Sequence, residues 1–416
     1  MSLFFLLLGV LLLGLTLPGS LYLALLTVAG WLPARPRGEV LTADASTGDI
    51  STAGVSFGAV LAAVTFHGRL AIVVPAHDEE AGLPATLLDL LAAAGKDGNC
   101  DVVVVADNCL DATADVARQA GARVLERQDV QRRGKGYALD FAFSRLLPEG
   151  FVAFVVVDAD SRVDIDFVSH LRQGFAGGAQ VLQCRYTVLN ASDSPQTRLA
   201  EIALAAFNVL RPRGRHRLGL SAGILGNGFA LRRQVLQQVP YTATSVVEDL
   251  EYHLRLIEAG LRVEFVDNAS VRGEMPTGQQ GRDHQRARWE GGRLRMLLEH
   301  GPALAGKVLR GRWHLLEPLA DLLLLPLAYH VMLLLAALAL LLVAGSLFGG
   351  VLALLSLGVV ALHIVAALRV SGLPLTHLLL LARIPGYLLW KLRMILPSLA
   401  SARQNSAWVR TDRDGR

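Results

Sequence analysis

The chain is poor in cysteine, in charge and in aromatic residues, and each shortage narrows what it can be. Three cysteines, Cys100, Cys109 and Cys184, have neither metal-ligand spacing nor an even number for pairing, so we expect reduced thiols rather than a disulfide framework. Charged residues make up 18% of the chain and hydrophobic residues 52%, a balance too apolar for an ordinary soluble enzyme. Aromatic residues make up 6% and are not interleaved with the basic ones, which argues against nucleic acid as a partner.

Long uncharged apolar runs account for the excess of hydrophobic residues. Residues 3–32 carry no charge and lack the basic start of a cleavable signal peptide, so they predict a membrane-spanning helix. Residues 322–345 and 351–368 predict two further spans, joined by a short uncharged turn. The chain is therefore expected to be a multi-pass protein of the cell inner (cytoplasmic) membrane, in contact with membrane lipids.

Basic residues beside these runs set the expected topology. Arg35 and Arg37 follow the first run and place its C-terminal end in the cytosol by the positive-inside rule. Residues 302–317 and 373–400 mix apolar with basic residues and predict amphipathic helices on the cytosolic membrane surface; full spans or soluble helices stay open as alternatives. The segment RPRGRHR (211–217) predicts a basic loop, which either contacts lipid headgroups or an anionic acceptor or is simply solvated.

The middle of the chain has the composition of a single globular domain. Strand-like runs such as 70–75, 102–106 and 151–157 alternate with helical patterns, which predicts an α/β domain with a mostly parallel sheet covered by helices. The expected organisation is a transmembrane helix (1–35), a linker (36–67), a cytosolic domain (68–300), interfacial helices with two transmembrane helices (301–400) and a cytosolic tail (401–416).

Acidic residues stand at the ends of strand-like runs and at the start of one helical pattern. Asp107 follows VVVVA, Asp158 and Asp160 follow FVAFVVV, and Glu248 and Asp249 open a helix. The carboxyl ends of parallel strands are where open α/β sheets bind ligands. Two aspartates separated by one residue can hold a divalent cation on a diphosphate, and a separate carboxylate can take a proton from a hydroxyl group.

Seven short motifs in a fixed order carry a resemblance to a known family. They are VVPAHDEE (73–80), ADNCLDAT (106–113), GKGYAL (134–139), VDAD (157–160), GNGFALRR (226–233), VED (247–249) and QRARW (285–289). In order and spacing this set resembles family-2 glycosyltransferases, most of all the membrane-integrated branch that includes cellulose, chitin, hyaluronan and poly-N-acetylglucosamine synthases. The resemblance implies a GT-A fold, a nucleotide-sugar donor with a UDP-sugar favoured, inversion at the anomeric carbon, and Mg²⁺ or Mn²⁺ as cofactor.

The resemblance also implies a role for each acidic residue. Asp249 would be the catalytic base, with Glu248 beside it. Asp160 would ligate the metal, with Asp158 on the donor side. These roles agree with the chemistry of the side chains, because a leaving diphosphate needs a cation and an acceptor hydroxyl needs a base.

Two further groups of residues take roles from the resemblance. The nucleotide-binding residues would be Pro75, Asp78, Glu79, Asp107 and Lys135. The residues that hold the diphosphate and cover the acceptor would be Gln285, Arg288 and Trp289. A guanidinium group offers a planar fork to phosphate oxygens, and an indole offers a flat apolar face to a sugar ring.

Three functions fit the sequence. The first is transfer of sugars to a growing polysaccharide or oligosaccharide at the cytoplasmic membrane. The second keeps the chemistry and moves a single sugar to a membrane lipid. The third is a catalytically silent subunit of a polysaccharide export complex, with other export subunits as partners. Intact Asp160 and Asp249 favour an enzyme over the silent subunit.

Overall fold

The computed structural model describes residues 2–32, 66–243 and 245–403. Most of the linker predicted at 36–67 and nearly all of the tail predicted at 401–416 lie outside the described residues. The described part contains one eight-stranded sheet, helices on both of its faces, and apolar helices at both ends of the chain. The predicted α/β class with flanking helices is confirmed.

The sheet has the strand order β3-β2-β1-β4-β7-β6-β8-β5. Strands β3, β2, β1 and β4 run parallel to one another, and β7 is antiparallel to both β4 and β6, so the sheet is mixed. The strands are β1 (Leu70–Ala76), β2 (Cys100–Asp107), β3 (Arg123–Arg127), β4 (Ala153–Val156), β5 (Ser161–Val163), β6 (Val181–Val188), β7 (Phe229–Arg232) and β8 (Val263–Gly273).

Helices cover the two faces of the sheet and bury its alternating apolar side chains. The helices of the domain are α2 (Leu83–Asp97), α3 (Thr113–Gln119), α4 (Lys135–Leu146), α5 (Phe167–Ala176), α6 (Pro195–Leu204), α7 (Arg211–Arg217), α8 (Arg233–Gln238) and α9 (Glu248–Glu258). One core lies between the sheet and α2 and α5, and the other between the sheet and α4, α8 and α9. A π-helical turn, Ala205–Leu210, joins α6 to α7.

The flanking helices begin with α1 (Ser2–Trp31), before the domain. After the domain come α10 (Gln279–Leu309), α11 (Leu316–Leu323), α12 (Leu327–Val343), α13 (Leu347–Ser371) and α14 (Ile384–Arg403). Short 3₁₀ helices occupy Leu147–Glu149, Trp313–Leu315 and Leu375–Arg383. Among the described residues, α1 and α13 are each long and apolar enough to cross a membrane, as predicted.

The span predicted at 322–345 stays a prediction, and most of that range is the single helix α12. The helix breaks between Leu323 and Leu327, and the two pieces on either side of the break are bent by 75°. Pro326 explains the break, because proline lacks an N–H and disfavours helical backbone in the residue before it. Taken together, the two pieces are long and apolar enough to cross a membrane, either as a broken span or as a re-entrant loop.

Two predictions about basic segments are wrong. Residues 302–317 do not form a separate helix: they continue α10 to Leu309, and the chain then breaks before α11. The loop predicted for 211–217 is helix α7, in which Arg211 and Arg215 are buried. A Cβ on Gly214 would lie 2.5 Å from the Leu26 carbonyl oxygen, so α7 packs directly against α1. The arginines of α7 therefore face protein rather than solvent.

Candidate active site

Three of the predicted acidic positions lie at the edge where the parallel strands end. Asp107 is the last residue of β2, and Asp158 follows β4. Asp160 directly precedes β5. Because β2, β1 and β4 are parallel neighbours, their carboxyl ends share one edge. The fold thus brings these side chains to the position where open sheets bind ligands.

Lys135 joins two of the predicted motifs. It is the first residue of α4, and its Nζ donates to a carboxylate oxygen of Asp158 and to the carbonyl oxygen of Gly226. The pKa of Lys135 is raised overall. Burial alone would lower this pKa, but the negative charges of Asp158 and Glu248 raise it by more. The ammonium group therefore stays charged among carboxylates.

Gly226 brings the third motif to the same place. Its backbone has φ of +79°, which favours glycine, and a Cβ there would lie 3.1 Å from Asp249 Oδ2. The carbonyl oxygen of the same residue accepts the bond from Lys135. Asp158, Lys135, Gly226 and Asp249 therefore form one cluster, although up to 114 residues (135 to 249) separate them along the chain.

Glu248 and Asp249 are the first two residues of α9 and are partly exposed. Burial raises the pKa of Glu248 to about 7; the charge of Asp249 adds to this effect and that of Lys135 opposes it. Burial also raises the pKa of Asp249, against the backbone hydrogen bond from Leu250 and the charge of Lys135. A carboxyl group with a raised pKa is a better proton acceptor than an ordinary one.

The residues predicted to bind a nucleotide lie along the ends of β1 and β2. Pro75 is in β1, paired with Val105 of β2. Asp78, at φ of +53°, accepts a hydrogen bond from the Leu110 N–H at 2.7 Å. The Glu79 N–H donates to Thr113 Oγ1 at 2.8 Å. These bonds tie the loop after β1 to the loop after β2.

Asp107 is more enclosed than the other predicted nucleotide-binding residues. Its carboxylate accepts from Arg127 Nη1 at 2.6 Å and from Asn108 Nδ2 at 3.0 Å, and both partners are buried with it. Asn108 Oδ1 accepts from the Asp129 N–H at 2.7 Å. The structure thus places Asp107 at the expected edge, inside a hydrogen-bonded ion pair that fixes the loop after β2.

The donor set of Asp158 and Asp160 fits a hard divalent cation. Both offer carboxylate oxygens, which Mg²⁺ and Mn²⁺ prefer, and such ions are commonly held by one or two carboxylates together with phosphates. Within the described residues, another group of ligand-type atoms comes from Asp78, Cys109 and Asp111, all within 4.8 Å of one another. Burial raises the pKa of the Cys109 thiol and so favours its protonated form, which is a poor ligand, and sulfur is in any case a soft donor that hard ions disfavour.

The predicted QRARW segment lies within α10, where Gln285, Arg288 and Trp289 are partly buried. Trp289 packs against an apolar cluster that contains Val188, Leu204 and Met275. The same helix also approaches the start of α9. A Cβ on Gly292 would lie 2.4 Å from Val247 Cγ1, and Val247 directly precedes Glu248.

Sequence reasoning missed the residues that fix the acidic loops. Asn227 and Gln183 are fully buried and hydrogen-bonded around Asp158, and Arg127 is buried beside Asp107. Asn227 lies in the quoted motif GNGFALRR, so the motif was a signal for it. Gln183 and Arg127 lie in ordinary strands and carry no such signal.

Comparisons with known proteins agree on one kind of family. The model of the protein family described as glycosyl transferase family group 2 matches residues 153–395, more than half of the chain. The probable glycosyltransferase YdaM of Bacillus subtilis (strain 168) is 25% identical over 240 residues. That match covers 56% of this chain and 56% of YdaM, so the chain spans little more than half of that relative's length.

Two solved structures are also similar. The mannosyltransferase PcManGT from Pyrobaculum calidifontis, in complex with GDP-Man and Mn²⁺, is 19% identical with a TM-score of 0.47. The alignment covers 73% of this chain and 86% of that one. Glucosyl-3-phosphoglycerate synthase from Mycobacterium tuberculosis, in complex with Mn²⁺, UDP and phosphoglyceric acid, is 22% identical with a TM-score of 0.34, covering 48% of this chain and 68% of that one.

Proposed function

Because the chain belongs to glycosyl transferase family group 2, we propose that it is an inverting hexosyltransferase. It moves a sugar from a nucleotide-sugar donor, with a UDP-sugar favoured, to a growing polysaccharide or oligosaccharide. The reaction takes place on the cytosolic side of the cell inner membrane. The observation that carries this proposal is the cluster of Asp158, Lys135, Gly226 and Asp249, which joins four sequence motifs at the edge of the sheet where its parallel strands end.

In the proposed mechanism Asp249 is the base. The acceptor oxygen attacks the anomeric carbon from the side opposite the leaving group, and its proton passes to a carboxylate oxygen of Asp249. The bond from the anomeric carbon to the phosphate oxygen breaks, and the nucleoside diphosphate leaves with the electron pair. One displacement inverts the configuration, so no second nucleophile is needed. Glu248 lies beside the base; burial raises the pKa of Asp249, and the charge of Asp158 adds to this effect.

The leaving diphosphate needs positive charge. Asp160 and Asp158 would hold Mg²⁺ or Mn²⁺, and when bound the cation neutralises charge on the diphosphate. Lys135 supplies a fixed ammonium group in the same cluster. Pro75, Asp78, Glu79 and Asp107 lie along the neighbouring strand ends and form the proposed nucleoside pocket.

The acceptor lies by α10 in this proposal, near Gln285, Arg288 and Trp289.

One observation favours the second candidate, a membrane lipid as acceptor. Glu290, next to Trp289, pairs with the buried Lys391 of α14, and α14 exposes Leu389 and Leu396. This arrangement puts an apolar helix face beside the acceptor segment, where a lipid-borne hydroxyl or phosphate would approach.

A panel of nucleotide sugars tests the proposed reaction. The full chain in lipid-supplemented detergent is given UDP- and GDP-sugars with Mg²⁺ or Mn²⁺, and nucleotide release and product mass are measured. We expect release from at least one donor, with a polymeric product for the first candidate and a singly glycosylated lipid for the second. Absence of release from every donor would support the silent export subunit.

Removal of the Lys135 charge is expected to move the acidic limb of the pH–rate profile to higher pH. In Lys135→Met the carboxyl groups of Glu248 and Asp249 lose a neighbouring cation, so their pKa values rise further. Since the base must be ionised, more of the enzyme is then inactive at a given acidic pH. The measurement is kcat/KM for nucleotide release against pH.

Lys135→Arg is the matched control, because it keeps the positive charge at this position. Its acidic limb should stay close to that of the unchanged protein even if its rate is lower. An acidic limb at the same pH in Lys135→Met and Lys135→Arg would show that Lys135 does not set the ionisation of the base.

A further inference from the structure

We propose that Asn227 is a positioning residue that sets the place of the two proposed cation ligands, Asp158 and Asp160. This inference rests on the proposed function. Asn227 is only 1% exposed. Its Oδ1 accepts from the Asp158 N–H at 3.1 Å, and its Nδ2 donates to Ser161 Oγ at 2.8 Å. One buried amide thus holds both ends of the segment from Asp158 to Ser161.

The second bond reaches Asp160 through Ser161. Ser161 Oγ donates to Asp160 Oδ1 at 3.3 Å. A serine hydroxyl has a single proton. Because Ser161 accepts from the Asn227 amide, that proton is available to the Asp160 carboxylate. The Asn227 side chain therefore orients Asp158 through the backbone N–H of Asp158. It orients Asp160 through the Ser161 hydroxyl, which donates to the Asp160 carboxylate.

Asn227 is itself held in place by strand β6. Gln183, fully buried, donates from Nε2 to the Asn227 carbonyl oxygen at 2.8 Å and accepts the Leu225 N–H at 3.0 Å. Gly226 and Gly228 flank Asn227 with φ of +79° and +70°. A Cβ on Gly228 would lie 2.8 Å from Val271 Cγ2, so the turn is closely packed.

The same turn serves both halves of the proposed chemistry. Gly226 lies against the Asp249 carboxylate and binds Lys135 through its carbonyl oxygen, while Asn227 holds the segment of Asp158 and Asp160. A change at Asn227 therefore alters where the cation ligands lie relative to the base. Groups that orient metal ligands in this way typically change metal affinity or activity about 10- to 100-fold when they are removed.

Mn²⁺ binding by the full chain, with and without UDP, tests this role. Free Mn²⁺ is followed by electron paramagnetic resonance during titration of the detergent-solubilised protein. Asn227→Ala is expected to weaken Mn²⁺ binding about 10- to 100-fold. Ser161→Ala removes only the hydrogen bond to the Asp160 carboxylate, so a smaller loss of Mn²⁺ affinity is expected. This variant also keeps the test available if Asn227→Ala fails to fold.

Asn208→Ala is the matched control. Asn208 is also buried, at 3% exposure, and its Nδ2 donates to the Tyr186 carbonyl oxygen at 3.1 Å. Its loss should lower the unfolding temperature and leave Mn²⁺ affinity unchanged. Unchanged Mn²⁺ affinity in both Asn227→Ala and Ser161→Ala would overturn the positioning role. If the unchanged protein bound no Mn²⁺ even with UDP, the proposed cation site itself would fall, and the role of Asn227 with it.

Discussion

Asp249→Asn is expected to lower kcat/KM for nucleotide release roughly 100- to 10,000-fold, the range for loss of a general base. The amide keeps the size of the side chain and its place against Gly226, but it cannot take the acceptor proton. Donor binding should change little, because the proposed mechanism assigns the nucleotide to other residues. Rates at saturating donor and the affinity for UDP, measured separately, distinguish the two effects.

Glu258→Gln is the control for Asp249→Asn. Glu258 is the last residue of the same helix, α9, and forms an exposed ion pair with Lys307. The change from carboxyl to amide at that end of the helix should leave the rate close to that of the unchanged protein. A rate for Asp249→Asn within a few-fold of the unchanged protein would assign the base to another group.

Arg215→Met is expected to destabilise the chain by about 3–5 kcal/mol, the cost of removing one partner from a buried ion pair. Arg215 pairs through Nε with Glu317 at 2.7 Å and through Nη2 with Asp321, and it is 5% exposed. Its Nε also donates to Tyr22 Oη at 3.1 Å. One side chain therefore links α7 to α1 and α11, and its loss leaves two carboxyl groups buried without it.

The unfolding temperature of the detergent-solubilised protein measures this effect. Arg310→Met, an exposed position after α10, serves as control and should shift the unfolding temperature little. An equally small shift in Arg215→Met would show that the contact of α7 with the flanking helices α1 and α11 does not depend on this network. A large shift would identify α7 as the structural link between them.

Short-range patterns predicted the sheet well where strands are long or wholly apolar. The runs at 70–75 and 102–106 are strands in the structure, because continuous β-branched and apolar residues fit a buried strand. Strands β5 and β7 were missed. They have three and four residues, and such short runs carry too little periodicity to be told from a loop.

Charge alone misled the interpretation of 211–217. Four arginines in seven residues suggested an exposed loop, but their partners lie far along the chain. Arg215 meets Asp321, 106 residues later, and Arg217 donates to carbonyl oxygens at the end of α1. Such pairing depends on the tertiary fold, so local composition cannot reveal it.

Parts of the active-site arrangement could be expected from the sequence and parts could not. Acidic residues after apolar strands predicted a common edge, because the ends of parallel strands meet. The hydrogen bond from Lys135 to Gly226 and the hydrogen bonds of the Asn227 side chain could not be predicted. They depend on the antiparallel strand β7 lying next to β4, which brings the turn before β7 against Asp158.

Anomalous scattering from crystals of the full chain grown with Mn²⁺ and UDP tests the central claim most directly. Our account predicts a Mn²⁺ peak at the Asp160 and Asp158 carboxylates, with the diphosphate of UDP on the ion and Asp249 on the open side of the same crevice. A peak at Asp78, Cys109 and Asp111, with none at Asp160, would contradict it.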